Sequence, residues 1–245
     1  MTYALVADCV SKAFGARRVL TSASLRAKAN EVRAIFGRNG EGKSTLLKIA
    51  VGRLQPDAGN VRMGDTVFIP ASLPVLAAHG VFYLPDHSLL APAYNLGMQL
   101  GLFERRFGQC HSRDAARLTR VEHLLGRRPS SFSGGELRRA ELALAITRRP
   151  TVLIADEPYR GITPADHDEL SNLFRAMAAD GCAVVVTGHE VPSLLSAADH
   201  VTWCTNGTTY ELGAPSQACE HDDFRRGYLG PGFRGLNGTA SQPAT

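Results

Sequence analysis

The sequence has few features of membrane, disulfide-rich or metal-cluster proteins. Its five cysteines are scattered without a CxxC pair, which argues against a zinc site and a disulfide framework and predicts reduced thiols. The most apolar stretch, IPASLPVLAAHGVFYL, contains two prolines and is shorter than the roughly 20 apolar residues that a spanning helix needs. We therefore expect no membrane span in the chain.

Targeting signals and strong charge are also scarce. The stretch MTYALVADCV has no basic region before its apolar part, so it does not read as a signal peptide and predicts a chain that stays in the cytosol. The net charge of +4 is small and comes largely from arginine pairs, which usually mark solvated faces. A nucleic-acid groove or a surface against anionic headgroups is the alternative, but without interleaved aromatics we expect no nucleic-acid partner.

The order of apolar patterns along the chain predicts an α/β fold. Three β-type patterns fill the first 36 residues, and a glycine loop and a helix follow. A mostly helical region spans roughly 88–150, and after it the short apolar runs VLIADEP and AVVVTGHE flank another helix. Such alternation favours a mostly parallel, doubly wound sheet with an antiparallel lead-in. Residues 230–245 are rich in Gly, Pro and Ser, which is typical of a disordered tail.

A phosphate-binding loop is predicted at residues 37–44. GRNGEGKS fits the pattern G-x-x-x-x-G-K-[ST] and lies between a predicted strand and a predicted helix. Lys43 would reach the β- and γ-phosphates, and the Ser44 hydroxyl would bind Mg²⁺. A plain glycine-rich turn is the alternative. The expected ATP contacts in this segment are Gly37, Arg38, Asn39, Gly40, Glu41, Gly42, Lys43, Ser44 and Thr45.

Three further candidates follow predicted buried strands. Asp156 and Glu157 end the run VLIADE, and His189 ends VVVTGH, so all three should lie at the strand-end edge beside the phosphate loop. Asp156 suits the Mg²⁺ shell and Glu157 suits a general base for the attacking water. His189 would contact the γ-phosphate or orient the water. A solvated strand cap and a solvated loop histidine are the alternatives.

A second helix start, FSGGE at residues 132–136, also suits an anion because backbone N–H groups point out of it. Taken alone, it reads equally well as an N-cap serine with an acid in the first helical turn.

In their order and spacing these motifs resemble those of the ATP-binding subunits of ABC transporters, over roughly residues 1–235. The resemblance identifies GRNGEGKST as Walker A, VLIADE as Walker B with its catalytic glutamate, FSGGE as the signature and TGHE as the switch-histidine loop. It implies that Phe14 stacks on adenine. It also implies that the signature, formed by Ser133, Gly134, Gly135 and Glu136, contacts ATP held by the opposing subunit. The segments DAGN, DEPYRGITP and HDDFRRGYLGPGFRG look like the group of lipopolysaccharide-export and branched-chain amino acid transporter ATPases.

The resemblance further implies an ABC-type P-loop NTPase over residues 1–229. Its ATP-binding core would comprise 1–87 and 150–229, its inserted helical subdomain 88–149, and a tail 230–245 would follow. ATP and Mg²⁺ are the implied cofactors, with Ser44, Asp86 and Asp156 at the metal. The implied partners are a second ATP-binding subunit in a homodimer and separate integral membrane subunits, with the chain on the cytoplasmic face of the membrane. Asp86 is a departure, because the family normally has glutamine there.

Three functions are compatible with this pattern. The leading hypothesis is an ATPase subunit that drives transport by separate membrane subunits. The alternative is a weakly hydrolysing, ATP-gated binding or regulatory module, in which Asp86 and the altered loop at Thr163 slow turnover. Soluble ABC proteins of DNA repair or translation fit less well, because those commonly carry two nucleotide domains or a long coiled-coil insertion.

Overall fold

A ten-stranded mixed sheet organises the chain. The computed structural model describes residues 3–107, 111–230 and 232–233. Across the sheet the strands follow the order β5-β4-β1-β2-β10-β9-β3-β8-β7-β6. Their bounds are β1 Leu5–Phe14, β2 Arg17–Ala27, β3 Val32–Phe36, β4 Ala58–Met63, β5 Thr66–Phe68, β6 Val81–Leu84, β7 Val152–Ala155, β8 Ala183–Thr187, β9 His200–Thr205 and β10 Thr208–Gly213.

Strands β9, β3, β8, β7 and β6 form the parallel part of the sheet. Strands β3, β8 and β7 are buried along their whole length and are apolar except for Arg33 in β3 and Thr187 at the end of β8, as expected for strands covered on both faces. Ile35 pairs with Thr187, and Ala155 pairs with Val186. This register brings the carboxyl ends of the three strands to one edge, as predicted.

The lead-in is an antiparallel arm in which β1 pairs with both β2 and β4. A single parallel bridge between Ser22 and Thr208 joins the arm to the rest of the sheet. Strands β4, β5 and β6 were not predicted, because they lie in the region that reads as loose and proline-containing. Strand β5 has only three residues, too few to show an alternating pattern.

Helices cover both faces of the parallel part. Residues of alternate parity on the same strands face two separate cores, one with α1 and α2 and the other with α3 to α9. The doubly wound prediction is thereby confirmed. The helices are α1 Lys43–Ala50, α2 Leu73–Ala78, α3 Leu96–Phe107, α4 Ser112–Leu118, α5 Gly134–Arg148, α6 Pro164–Ala179, α7 Val191–Ala197, α8 Pro215–Glu220 and α9 Asp222–Phe224. In the described ranges, no helix has the length and apolar character needed to cross a membrane.

The region predicted as a helical subdomain, 88–149, contains α3, α4 and α5 with short 3₁₀ turns between α4 and α5. These helices share one apolar core with the far face of the parallel strands, through residues such as Leu100, Leu124 and Leu142. The predicted tail, 230–245, lies outside the described residues except for 230, 232 and 233, and Cys110 also lies outside them. The four described cysteines carry free thiols.

An aromatic cluster anchors the last described segment to the sheet. Phe224 lies 5.7 Å from Phe36 and 5.6 Å from Trp203, measured between ring centroids. Tyr228 stacks on Phe224 at 5.4 Å and contacts Phe36 at 5.6 Å. Phe36 is the last residue of β3, directly before the phosphate loop. Helix α9 and Tyr228 after it are therefore packed against the strand end from which the phosphate loop begins.

Because Phe224 is fully buried among these rings, we expect Phe224→Ala to lower the free energy of unfolding by about 3–5 kcal/mol. Denaturant unfolding would measure the change. Tyr94→Ala removes an exposed ring and serves as the control, with an expected change below about 0.5 kcal/mol. Equal effects of the two substitutions would contradict the role of the cluster.

Candidate nucleotide-binding site

The phosphate loop connects β3 to α1 and requires glycine at two close approaches. Gly42 has φ +98°, and a Cβ there would lie 2.5 Å from Leu20 Cδ2. A Cβ on Gly37 would lie 2.4 Å from the Cys204 carbonyl oxygen. These distances are shorter than real contacts, so the loop can curl at the helix N-terminus only with glycine at both positions.

Two adjoining cavities lie at this edge of the sheet. The first has a volume of about 250 Å³ and is lined by Arg17, Val19, Arg38, Asn39, Gly40, Gly42, Lys43, Ser44, Thr45 and Glu157. The second, of about 280 Å³, is lined by Asn39, Glu157, Tyr159, Arg160, Gly188, His189 and Glu190. Asn39 and Glu157 line both cavities. The structure thus brings together seven of the nine phosphate-loop candidates with Glu157 and His189, and Gly37 contacts this group through its carbonyl oxygen, which accepts a hydrogen bond from Lys43.

Glu41, like Gly37, does not line either cavity, and its side chain points away from them. Its carboxylate accepts a hydrogen bond from the Asn206 backbone N–H, and its carbonyl oxygen accepts one from Cys204 Sγ at 3.1 Å. Both partners belong to the end of β9 and the turn that follows. Glu41 therefore ties the phosphate loop to the neighbouring hairpin and does not line the cavity.

Lys43 is almost fully buried and donates to the carbonyl oxygens of Gly37 at 2.6 Å and Arg38 at 3.2 Å. Burial lowers the pKa of its ammonium, while the carboxylates of Glu157 and Asp156 act in the opposite direction. The loop's own backbone thus holds the lysine at the floor of the cavity.

Asp156 is 1% exposed and accepts hydrogen bonds from three hydroxyls. Thr187 Oγ1 donates to Oδ1 at 2.8 Å, Ser44 Oγ donates to Oδ1 at 3.1 Å, and the Tyr83 hydroxyl donates to Oδ2 at 3.4 Å. Burial raises the pKa of the Asp156 carboxyl, although the hydrogen bonds from Thr187 and Ser44 lower it. The charges of Asp86 and Glu157 add to the rise.

Glu157 directly follows this aspartate and has an unusual backbone. Its φ of +51° lies in the left-handed region, which costs a non-glycine residue about 1–2 kcal/mol. The Glu157 N–H donates to Thr187 Oγ1 at 3.1 Å, and its Oε1 lies 3.3 Å from His189 Nε2. The carboxylate and the imidazole therefore meet between the two cavities, where a water could approach a bound phosphate.

Asp86 lies near this group without lining either cavity. Its side chain is 45% exposed and pairs with His87 Nδ1 at 3.1 Å. That hydrogen bond lowers the pKa of the Asp86 carboxyl, so the group is a stable negative charge. Arg138, on the signature helix, donates to the Asp86 carbonyl oxygen at 2.7 Å.

Phe14 ends β1 with half of its surface exposed, and Lys12 Nζ lies 5.9 Å from its ring centroid. The ring does not line the cavity. Arg17 and Val19, which follow on β2, line it instead. No sequence motif indicated that Arg17 and Val19 line the cavity. An arginine pair at the start of a strand is usually interpreted as a solvent-exposed feature.

The signature segment begins α5, and none of its residues lines either cavity. Ser133 and Glu136 form a reciprocal capping box, with the Glu136 N–H donating to Ser133 Oγ at 3.2 Å and the Ser133 N–H donating to Glu136 Oε2 at 2.8 Å. Ser133 and Gly134 are exposed. Gly135 packs against Asp166, whose carboxylate would be 2.2 Å from a Cβ at Gly135. The capping box therefore satisfies the N–H groups of Ser133 and Glu136, while Ser133 and Gly134 remain exposed at the helix start.

The predicted magnesium ligands fit that ion in kind. Ser44 and Asp156 offer a hydroxyl and a carboxylate that already touch, and Mg²⁺ prefers oxygen ligands, usually one or two carboxylates together with substrate phosphates. Within the described part of the chain, no three or more His, Cys, Asp or Glu side chains are grouped to hold a metal by themselves. Nucleotide phosphates and water would supply the remaining ligands.

Two hydroxyl residues at this site carried no motif. Thr187 and Tyr83 both contact Asp156 from neighbouring strands. The position of Thr187, two residues before His189 and at the end of a buried strand, was the one signal that could have identified it.

Comparison with known proteins assigns the family. Residues 20–160, more than half of the chain, match the family described as "ABC transporter". The chain belongs to the ABC transporter family. It is 29% identical to the lipopolysaccharide export system ATP-binding protein LptB of Escherichia coli (strain K12), over 94% of this chain and 98% of that protein. It is 33% identical to the molybdenum import ATP-binding protein ModC of Mycobacterium tuberculosis (strain H37Rv), over 86% of this chain and 61% of that protein.

Solved ABC cassettes share the fold. The ADP conformation of MJ1267, an ATP-binding cassette of an ABC transporter, superposes with a TM-score of 0.77 at 21% identity, over 89% of this chain and 93% of that one. This chain is thus an ABC ATPase and an ATP-binding subunit of a transporter. The expected P-loop NTPase fold of ABC type is confirmed.

The buried carboxylate of Asp156 gives a stability prediction for this ABC ATPase. Because the pKa of the Asp156 carboxyl is higher in the folded than in the unfolded chain, its ionisation lowers the free energy of unfolding. The contribution of the neutral carboxyl to stability is therefore complete below the unfolded-state pKa and is lost as the pH rises through the folded-state pKa. Asp156→Asn removes this cost of ionisation and should therefore raise the Tm at pH 7, in nucleotide-free buffer with EDTA. The expected rise is about 2–4 °C for each kcal/mol gained in the free energy of unfolding.

Thermal unfolding between pH 7 and pH 5 would measure this change. The difference in Tm between Asp156→Asn and the unchanged chain should become smaller as the pH falls. Asp168→Asn neutralises an exposed acid on α6 and should leave the Tm unchanged. A lower Tm for Asp156→Asn at pH 7 would contradict the assignment.

Proposed function

We propose that this chain hydrolyses ATP at a dimer interface to drive transport by separate membrane subunits, with Glu157 as the general base. The contact between Glu157 and His189 supports this most directly. Their 3.3 Å contact lies where the phosphate-loop cavity meets the cavity around His189, and both cavities are lined by Glu157. A base placed beside a phosphate cradle can take a proton from an attacking water, which contributes about 10²- to 10⁴-fold in rate.

The remaining residues divide binding from chemistry. Backbone N–H groups of the phosphate loop and the buried Lys43 would hold the β- and γ-phosphates. Mg²⁺, held by Ser44 and Asp156 with Asp86 nearby, would neutralise phosphate charge. His189 would donate a hydrogen bond toward the γ-phosphate. Phe14, at the exposed end of β1, would stack on adenine only if the base reaches beyond the lined cavity.

The exposed start of the signature helix supports the dimer in this proposal. Ser133, Gly134 and Gly135 start a capped helix that does not line this chain's own cavity. Free backbone donors at such a start suit a phosphate, so the ligand would be ATP on a second copy of the chain. The binding free energy of the two enclosed ATP molecules would favour the closed dimer, and hydrolysis would remove that preference.

We infer that the helical subdomain offers a surface to the membrane partners. Met98 and Leu102 are exposed four residues apart on α3, so they lie on one face of that helix, and Tyr94 is exposed just before it. An exposed apolar surface fits an amphipathic segment of a membrane subunit. The chain would then lie on the cytoplasmic face of the membrane. Similarity to LptB favours a lipopolysaccharide-export-like role, and similarity to ModC keeps other substrates open.

Glu157→Gln tests the proposal. The variant should bind ATP as the unchanged chain does, lose at least about 100-fold in ATPase rate, and accumulate as an ATP-bound dimer. Steady-state ATPase assays and light scattering after gel filtration would measure these properties.

Glu190→Gln is the matched control, because Glu190 lines the same cavity but, among the described residues, the ion pair of His189 is with Glu157 and not with the Glu190 carboxylate. It should remain active. Wild-type turnover by Glu157→Gln would refute the assignment of the base.

A weakly hydrolysing regulatory module is the second candidate, and Asp86 favours it. The negative charge of Asp86 raises the pKa of Asp156, so it acts on the predicted metal ligand. A carboxylate at this place also opposes the approach of phosphates.

If Asp86 slows turnover, Asp86→Gln should raise the ATPase rate several-fold and also strengthen ATP binding, because a charge that repels the phosphates is removed. Asp114→Asn, a charge-removing change on α4, should have no effect. The ATPase rate with and without reconstituted membrane subunits would be measured. An unchanged or lower ATPase rate for Asp86→Gln would show that Asp86 does not slow hydrolysis. The regulatory-module candidate would then lose its support.

A further inference from the structure

Thr187 contacts both acids of the site with one hydroxyl. It is the last residue of β8 and is fully buried. Its Oγ1 donates to Asp156 Oδ1 at 2.8 Å and accepts the Glu157 N–H at 3.1 Å. A single side chain from the neighbouring strand thus fixes a carboxylate and the backbone of the next residue at the same time.

The second of these contacts falls on a strained residue. Glu157 has φ +51°, a conformation that persists in a non-glycine residue only where its surroundings hold it. The Thr187 hydroxyl holds the backbone N–H, and His189, two residues further along, contacts the carboxylate at 3.3 Å. The end of β8 therefore supports Glu157 at both its backbone and its side chain.

The residue type suits this task. Threonine is branched at Cβ, so its χ1 rotamer is stiff and its hydroxyl direction varies little. A valine of the same shape would leave the Glu157 N–H and one bond of the buried Asp156 carboxylate unsatisfied. Serine would keep the hydroxyl but lose part of the rotamer restriction.

We propose that Thr187 is a positioning residue for ATP hydrolysis, which orients Asp156 and holds Glu157 in the geometry of a general base. The inference rests on the proposed role of Glu157. If it is correct, loss of the hydroxyl lowers the catalytic rate more than it weakens nucleotide binding. If Thr187 only satisfies its own buried hydroxyl, its loss lowers stability as any buried threonine would.

The test compares Thr187→Val and Thr187→Ser with Thr202→Val in the full-length chain. Thr202 is an equally buried strand threonine on β9, bonded to Arg33 and Glu211, away from both acids. The measurements are kcat and KM for ATP, the Kd of a non-hydrolysable ATP analogue in EDTA, the Tm, and hydrogen–deuterium exchange of the peptide that spans residues 152–163.

Thr187→Val should lower kcat by about 10- to 100-fold, leave the Kd of the analogue within about twofold, and speed exchange in the 152–163 peptide. Thr187→Ser should recover most of kcat and of the slow exchange. Thr202→Val should lower the Tm without a selective loss of kcat.

Several results would overturn the inference. It fails if Thr187→Val keeps wild-type kcat, if its kcat loss is matched by Thr202→Val, or if exchange in the 152–163 peptide does not change. Should the valine variant not fold, Thr187→Ala carries the same expectations. If Glu157→Gln is inactive while Thr187→Val is fully active, only the role of Thr187 fails. If Glu157→Gln itself stays active, the proposed base is wrong.

Discussion

The parallel pairing of β3, β8 and β7 is the constraint on which the site depends. Because Ile35 pairs with Thr187 and Ala155 with Val186, the three strands end side by side at one edge of the sheet. The phosphate loop, the Walker B acids and the switch histidine are far apart in sequence but leave the sheet at neighbouring points. A shift of one residue in any of these strands would reverse which face each side chain occupies and separate the cluster.

Packing on both faces keeps that register fixed. Phe36, Val186 and Ala155 face the core shared with the helical subdomain, while Ile35 and Val185 face the core shared with the antiparallel arm. Neither core can rearrange without the strands that carry the site. This rigidity explains how a residue with positive φ and a buried carboxylate persist side by side at the strand ends.

Much of the fold and the central site was predictable, since long apolar runs and the glycine pattern of residues 37–44 are local signals. Strands β4 to β6 were not, because their few residues show no periodicity and their pairing depends on β1 and β7. Likewise, Glu41 fits the loop pattern, but its side chain turns to Asn206 on a hairpin distant in sequence. Thr187 became visible only once the register of β8 was known. Motifs identify the groups that touch a ligand, and the groups that hold them in place come from tertiary contacts.

The tie between Glu41 and the hairpin after β9 has a consequence for the enzyme cycle. Cys204 and Asn206 hold the phosphate loop through hydrogen bonds to Glu41. A nucleotide therefore binds a loop that is already ordered, and the loop stays ordered after the nucleotide leaves. Product release would then cost no refolding of the loop. The slow steps of turnover would then lie outside the phosphate loop.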